Sequence, residues 1–204
     1  MLDDAKHLPQ YKGCLSAAQI ADGMNAAIQN AKRLFNSAKI LFEHEDYPSA
    51  VSLAVLAIEE AGKCSILRGL ALAKDSTSLK EAWKEYRTHV KKTRTCDLIR
   101  CIRGKTIKLQ DFKELFDGTN SFPYLLDQIK QVGFYTDCLG KAHWSIPLDV
   151  IDKNFADQIL HTAQCHCLQD KNITEKEIDL WIEYLSPVWM KSMDEMKQGL
   201  LQWR

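Results

Sequence analysis

The sequence predicts an all-α protein, a helical bundle with a central antiparallel helix hairpin. Three observations carry this. Apolar residues recur at steps of three and four. Runs that alternate apolar with polar residues are rare. Glycine (nine) and proline (five) are scarce in 204 residues. This length, with 46 % hydrophobic and 26 % charged residues, suits one folded domain. Its core is expected at about 15–150, with a C-terminal helical extension over about 151–204.

The first helix is expected at 16–45. Ile20, Met24, Ala27, Ala31, Leu34, Ala38 and Leu41 form its apolar stripe, and Ser16 can cap it. Gly23 weakens it slightly. His44-Glu-Asp-Tyr-Pro48 interrupts the pattern. Asp46 can cap a second helix at 48–73, with Pro48 in its first turn. Residues 50–58 are apolar on every side, which marks a helix in the middle of a bundle. So short a link makes the two helices an antiparallel hairpin.

Asp75-Ser-Thr-Ser78 reads as a turn before a third helix at 79–102, which carries Trp83, Tyr86 and Val90. A short helical piece is expected at 111–116. A fourth long helix follows at 122–135, opened by Ser121 and Pro123, and then a loop at 136–147 with Gly140 and Trp144-Ser-Ile-Pro147. Another helix is expected at 152–170. Thr174-Glu-Lys-Glu177 is a capping-box sequence and opens a last helix reaching toward Trp203.

No apolar stretch approaches the roughly 20 residues a membrane span needs. Met1-Leu-Asp-Asp-Ala-Lys6 lacks the pattern of a secretory signal. The cysteines are Cys14, Cys64, Cys96, Cys101, Cys138, Cys165 and Cys167. Their odd number and irregular spacing favour reduced thiols in the cytoplasm.

The 27 basic and 27 acidic residues cancel, but not evenly. Residues 80–108 carry ten basic and three acidic side chains, net +7. Residues 1–79 are net −1 and 109–204 net −6. The overall balance excludes a wholesale polycationic nucleic-acid binder. The cationic segment can still gather phosphate oxygens, as in RNA, or can be a solvated helix face paired with the acidic half.

Four constellations bear chemistry. The first is Glu59-Glu-Ala-Gly-Lys63, just after the all-apolar stretch. Glu59 and Lys63 are spaced for an i,i+4 ion pair. Glu59 and Glu60 point about 100° apart, so at least one faces another helix. Charges at the end of a buried helix need partners, and the cluster can equally be a register lock.

The second is Tyr86-Arg-Thr-His89-Val-Lys-Lys92. His89 is a usable acid or base near neutral pH. Lys92 or Arg87 can stabilise charge on a transferred phosphate, and Lys91 and Lys92 can bind the RNA backbone. A solvent-facing His on a basic helix is the plain alternative. The third is Tyr135 and Asp137 with Trp144, an aromatic set that can stack a base or pin a loop. The fourth is Cys165-His-Cys167 with His161. The two thiols lie about 200° apart on a helix and cannot share a metal. No metal and no cofactor are expected, and no Gly-rich phosphate loop, G-x-S-x-G elbow or H-E-x-x-H is present. Trp181, Tyr184 and Val188 share a stripe suited to packing or self-association.

Taken in order, the block Ser52-Leu-Ala-Val-Leu-Ala-Ile-Glu-Glu-Ala-Gly-Lys63, then His89-x-x-Lys92, Tyr135-x-Asp137 and Trp144-x-x-Pro147 resembles the AbiV family. These are bacterial abortive-infection proteins of the HEPN superfamily, and the resemblance covers about 15–150. It implies a HEPN-like bundle and a cytoplasmic protein acting against phage, on RNA or the translation machinery, with a phage protein as a possible trigger. Many HEPN relatives are homodimeric, metal-independent ribonucleases in which the ribose 2′-OH attacks the phosphate while a His moves protons. Their R-x4–6-H spacing does not occur here: no Arg lies five to seven positions before a His. By position the resemblance carries Glu59, Glu60, Lys63, His89, Lys92, Tyr135 and Asp137. The other function class is a non-catalytic helical module that binds a phage or host protein.

Overall fold

The computed structural model describes residues 9–88, 122–139, 142–167 and 172–189, together with 191, 192 and 195. The piece expected at 111–116 lies outside the described residues, as do His89, Lys91 and Lys92.

Helix α1 (Ala17–Glu43) starts where its cap dictates. The Ser16 hydroxyl accepts from the Gln19 N–H at 3.2 Å, and the Gln19 side chain accepts from the Ser16 N–H at 2.9 Å. This reciprocal box satisfies two donors that the first turn cannot. Ser16→Ala should lower stability by about 1 kcal/mol, read as a shift in urea midpoint. An unchanged midpoint would mean that packing alone fixes the start of α1.

The link to helix α2 (Tyr47–Ala71) turns at Glu45, which takes a left-handed φ of 62°. Asp46 then caps α2 by accepting from the Ser49 N–H at 3.3 Å. The two helices run antiparallel, as their shared clusters show. Ala38 near the end of α1 packs with Ala50 and Ala54 near the start of α2. Ala31 and Leu34 meet Ala57. Ile20 and Met24 meet Cys64 and Leu67. The alanines along this seam let the helix axes approach closely.

Helix α3 (Ser76–Arg87) is capped by Asp75, whose carboxylate accepts from the Thr77 and Ser78 N–H groups, each at 2.8 Å. The Ser78 and Thr77 N–H groups hold its pKa below the ordinary carboxylate value. The cap therefore acts fully above the usual Asp range and is lost as pH falls through the lowered value. The sequence pattern extends this helix to 102, but α3 ends at Arg87 and Thr88 is extended (φ −95°, ψ 122°). The Thr88 hydroxyl donates to the Lys84 carbonyl at 2.8 Å, and its N–H turns to Glu85 O at 3.1 Å. A β-branched hydroxyl that takes the i−4 carbonyl competes with the helix there.

Helix α4 (Phe122–Phe134) leads into strands β1 (Asp137–Leu139) and β2 (His143–Ser145), which pair antiparallel with Cys138 opposite Trp144. The sequence suggests only a loop over 136–147, because three-residue strands are too short for a period-two signal. One turn, α5 (Pro147–Val150), precedes α6 (Lys153–Cys167) and α7 (Glu175–Leu185). Thr174 and Glu177 form the expected capping box. Helix α7 stops at Leu185, since Pro187 has no N–H with which to continue the ladder, and residues 196–204 of the expected last helix lie outside the described residues.

Helix α2 is the axis of the bundle. Helices α1, α3, α4 and α6 all pack against it, while α7 lies mainly on α1. Asn25 ties the chain before α7 to α1, donating to Ile173 O at 2.8 Å and accepting from its N–H at 2.9 Å. The all-α reading holds, with one small hairpin added. Among the described residues, no helix is long and apolar enough to cross a membrane.

Candidate functional site

The polar groups of α2 sit at the end of its apolar run, where the helix is still enclosed. Glu59 is only 4 % exposed. It faces α4, and Lys130 donates to its Oε1 at 2.8 Å. Lys130, 6 % exposed, also pairs with Asp127 at 2.8 Å, one turn back on its own helix. Burial alone would lower the pKa of Lys130. Its hydrogen bonds to Asp127 and Glu59 outweigh that and raise it above the ordinary lysine value.

About two and three helical turns earlier on α2, the same interface is tightened by Ser52 and Pro48. The Ser52 hydroxyl lies 3.0 Å from Pro48 O and 3.3 Å from Lys130 O. Gly133 lets the two backbones meet. A Cβ there would fall on Ser52 Oγ and come within 2.9 Å of Pro48 O.

Glu60 turns a different way. Lys63 pairs with Glu60 at i,i+3, whereas the sequence spacing suggested Glu59 as its partner. The Lys63 ammonium also lies 5.4 Å from the ring centre of Tyr86 on α3. A carboxylate and an aromatic face thus fix one partly accessible cation at the α2–α3 edge. The two adjacent glutamates serve two interfaces, as a 100° offset requires.

Arg87 belongs to a third arrangement. Its guanidinium stacks 4.9 Å from Trp83 and donates to Tyr11 O, while Trp83 Nε1 donates to Gly13 O at 3.0 Å. Together they strap the segment before α1 across α3. Tyr135 and Asp137 lie just beyond α4 and are exposed. Tyr135 touches Phe134 edge to face at 6.2 Å, and Asp137 accepts from the Cys138 N–H at 2.7 Å. His89, Lys91 and Lys92 lie outside the described residues, so the structure brings together Glu60 with Lys63, and Glu59 with Lys130.

Lys130, Asp127 and Ser52 have no part in the sequence-based site. Lys130 left a signal: it lies on the stripe Leu126, Ile129, Lys130, Gly133, where an amphipathic helix puts apolar residues. A lysine there calls for an acidic partner on the neighbouring helix.

Among the described residues, no group of His, Cys, Asp and Glu could hold a metal ion. Cys165 is exposed and Cys167 buried, on opposite sides of α6. Burial pushes the Cys64 thiol up to about 11 and the Cys167 thiol to about 12, so both are protonated and unreactive near neutral pH.

An all-α bundle wound around one central helix, with its charges set into that helix, defines the class. Residues 19–167 match the family model HEPN_AbiV, described as AbiV, and the match runs through α6. The chain belongs to the AbiV family of HEPN domains. No curated protein and no solved structure matches it.

Proposed function

We propose that the protein is an antiphage abortive-infection effector of the bacterial cytoplasm that acts on RNA or the translation machinery, as a metal-independent endoribonuclease. His89 takes the proton of a ribose 2′-OH as that oxygen attacks the adjacent phosphorus, and a proton is returned to the leaving 5′-oxygen. Lys92 and Lys63 face the phosphate, and Glu60 holds Lys63. The working form is a homodimer, with a phage protein as its trigger.

The observation that carries this reading is the Lys63–Glu60 pair against Tyr86. Tyr86 precedes His89 by three residues, a chain length that reaches at most about 11 Å. The cation fixed by α2 therefore packs against a residue of the +7 segment itself, the segment that carries His89. Family membership over 19–167 supports the defence role. Purified protein incubated with total RNA and EDTA should cleave it, and His89→Ala should reduce cleavage by at least about 100-fold, the usual contribution of an acid–base residue. A folded His89→Ala variant with full cleavage and full phage protection would remove His89 from the reaction.

A second reading is favoured by a separate observation. Phe134, Tyr135, Trp144, Ile146, Leu148 and Val150 are all exposed, from 41 % at Phe134 to 71 % at Leu148. So many large apolar side chains within 17 residues suit a protein-binding face. Combined with the missing R-x4–6-H spacing, this supports a non-catalytic module that binds a phage or host protein. Intact RNA with retained defence, in the presence of phage lysate, would favour it over the enzyme.

A further inference from the structure

A groove of about 250 Å³ lies between α1 and α6, away from the α2–α4 ion pair. Its α1 wall presents Phe35, Lys39, Phe42 and Glu43, all on one face of that helix. The α6 wall presents Asp157, His161 and Gln164 at successive turns, with Leu160 between them. Phe35 and Phe42 are half-buried and packed on the core, so the aromatic floor is rigid. Among the described residues, Lys39, Glu43, Asp157 and His161 make no ion pair or hydrogen bond with their side chains. Two acceptor carboxylates and two nitrogen groups thus surround one aromatic-floored groove with their bonding capacity open.

That combination selects among ligands. A bare phosphate meets two carboxylates and is repelled. A purely apolar molecule would strip water from four ionisable groups and return nothing. A guanidinium or amine finds the carboxylates but also faces Lys39 and, when protonated, His161. A planar heteroaromatic ring that carries both donors and acceptors satisfies all of them. The volume is below the roughly 300–1,000 Å³ of drug-sized pockets, which suits a single bicyclic base.

Among the bases, guanine fits best. Its adjacent N1–H and N2–H₂ donors match the two oxygens of one carboxylate, while O6 and N7 accept from cationic or N–H groups. Adenine has no N1–H, and cytosine and uracil lack the adjacent donor pair. We propose that the α1–α6 groove is a guanine-binding site: the base lies on Phe35 and Phe42, Asp157 or Glu43 accepts from N1–H and N2–H₂, and Lys39 and His161 donate to O6 and N7. The base can come from a free guanine nucleotide or from an unstacked guanine in a single strand. The proposal stands on the groove alone and does not depend on RNA cleavage.

The test is a titration of the isotope-labelled full chain by NMR with GMP, AMP, CMP and UMP. GMP should give saturable shifts confined to the facing sides of α1 and α6, and AMP should bind at least about tenfold more weakly, since it offers the carboxylate a single N6 donor and not an adjacent pair. Asp157→Asn and Glu43→Gln are surface changes that leave the fold intact, and at least one should weaken GMP binding about tenfold or more. A uridine oligonucleotide with one guanine, compared with GMP, separates the two sources. Tighter binding at the same residues assigns a strand, and equal or weaker binding assigns the free nucleotide. His89→Ala should leave the mononucleotide affinities unchanged, which separates this site from the proposed ribonuclease. Absence of GMP shifts on this face, equal binding of AMP, or shifts that survive both substitutions would overturn the assignment.

Discussion

Lys130→Met should destabilise the fold by about 3–5 kcal/mol, because it removes the ammonium from a carboxylate that stays buried. Glu59 is 4 % exposed, and Lys130 reaches it at 2.8 Å from a different helix. The side chains have similar length, so lost packing contributes little and the charge dominates. The double variant Glu59→Leu with Lys130→Met should recover most of the loss, since a well-packed apolar pair often equals a buried ion pair. Urea denaturation of the wild type, Lys130→Met, Glu59→Leu and the double variant gives the coupling energy directly. A single-variant loss under about 1 kcal/mol would place the pair among solvent-screened surface bridges.

The same pair predicts a pH dependence. The Lys130 pKa is raised in the folded state. Its contribution is therefore complete below the ordinary lysine pKa of about 10.4 and is lost as pH rises through the higher folded value. Wild-type stability should fall in that alkaline window more steeply than that of the double variant.

The second large effect is expected at Gly133. Gly133→Ala would ordinarily help a helix by up to about 1 kcal/mol. Here the added methyl would fall on Ser52 Oγ and lie 2.9 Å from the Pro48 carbonyl, and 3.2 Å from Ile151 Cδ1. The Pro48 carbonyl is backbone at the start of α2 and cannot swing aside. Helix α4 must move outward, and the Lys130–Glu59 contact moves with it. A net loss of about 2–3 kcal/mol is expected, the upper part of the range for overpacked cores. Ser52→Ala should relieve only part of it, since the Pro48 carbonyl remains. A neutral or stabilised Gly133→Ala would show that α4 is free to slide on α2.

Much of the fold could be read from residue order. The caps at Ser16, Asp46 and Thr174 start their helices as expected, because capping is a local contract between residues three apart. The run at 50–58, apolar except for Ser52, correctly marks the bundle's central helix, because nothing else tolerates such a helix in water. The errors fall where the deciding interaction is weak or distant. Thr88 ends α3 through one hydroxyl. The strands at 137–139 and 143–145 are too short to carry a pattern. The site was legible in part. The sequence singles out Glu59, Glu60 and Lys63, but the partner of Glu59 is 71 residues away on α4.

Residue order alone carries the helical class, the central hairpin, the family's ordered motif and the uneven distribution of charge. Each depends on short-range periodicity or on composition, which the chain carries before it folds. Helix packing settles which glutamate faces which helix, that Arg87 straps the N-terminal segment to Trp83, and that α1 and α6 leave a charged, aromatic-floored groove between them. Those outcomes depend on how far one helix is rotated about its axis against another. That rotation is set by close packing such as Gly133 on Ser52, and it is a property of pairs of helices that neither sequence segment holds alone.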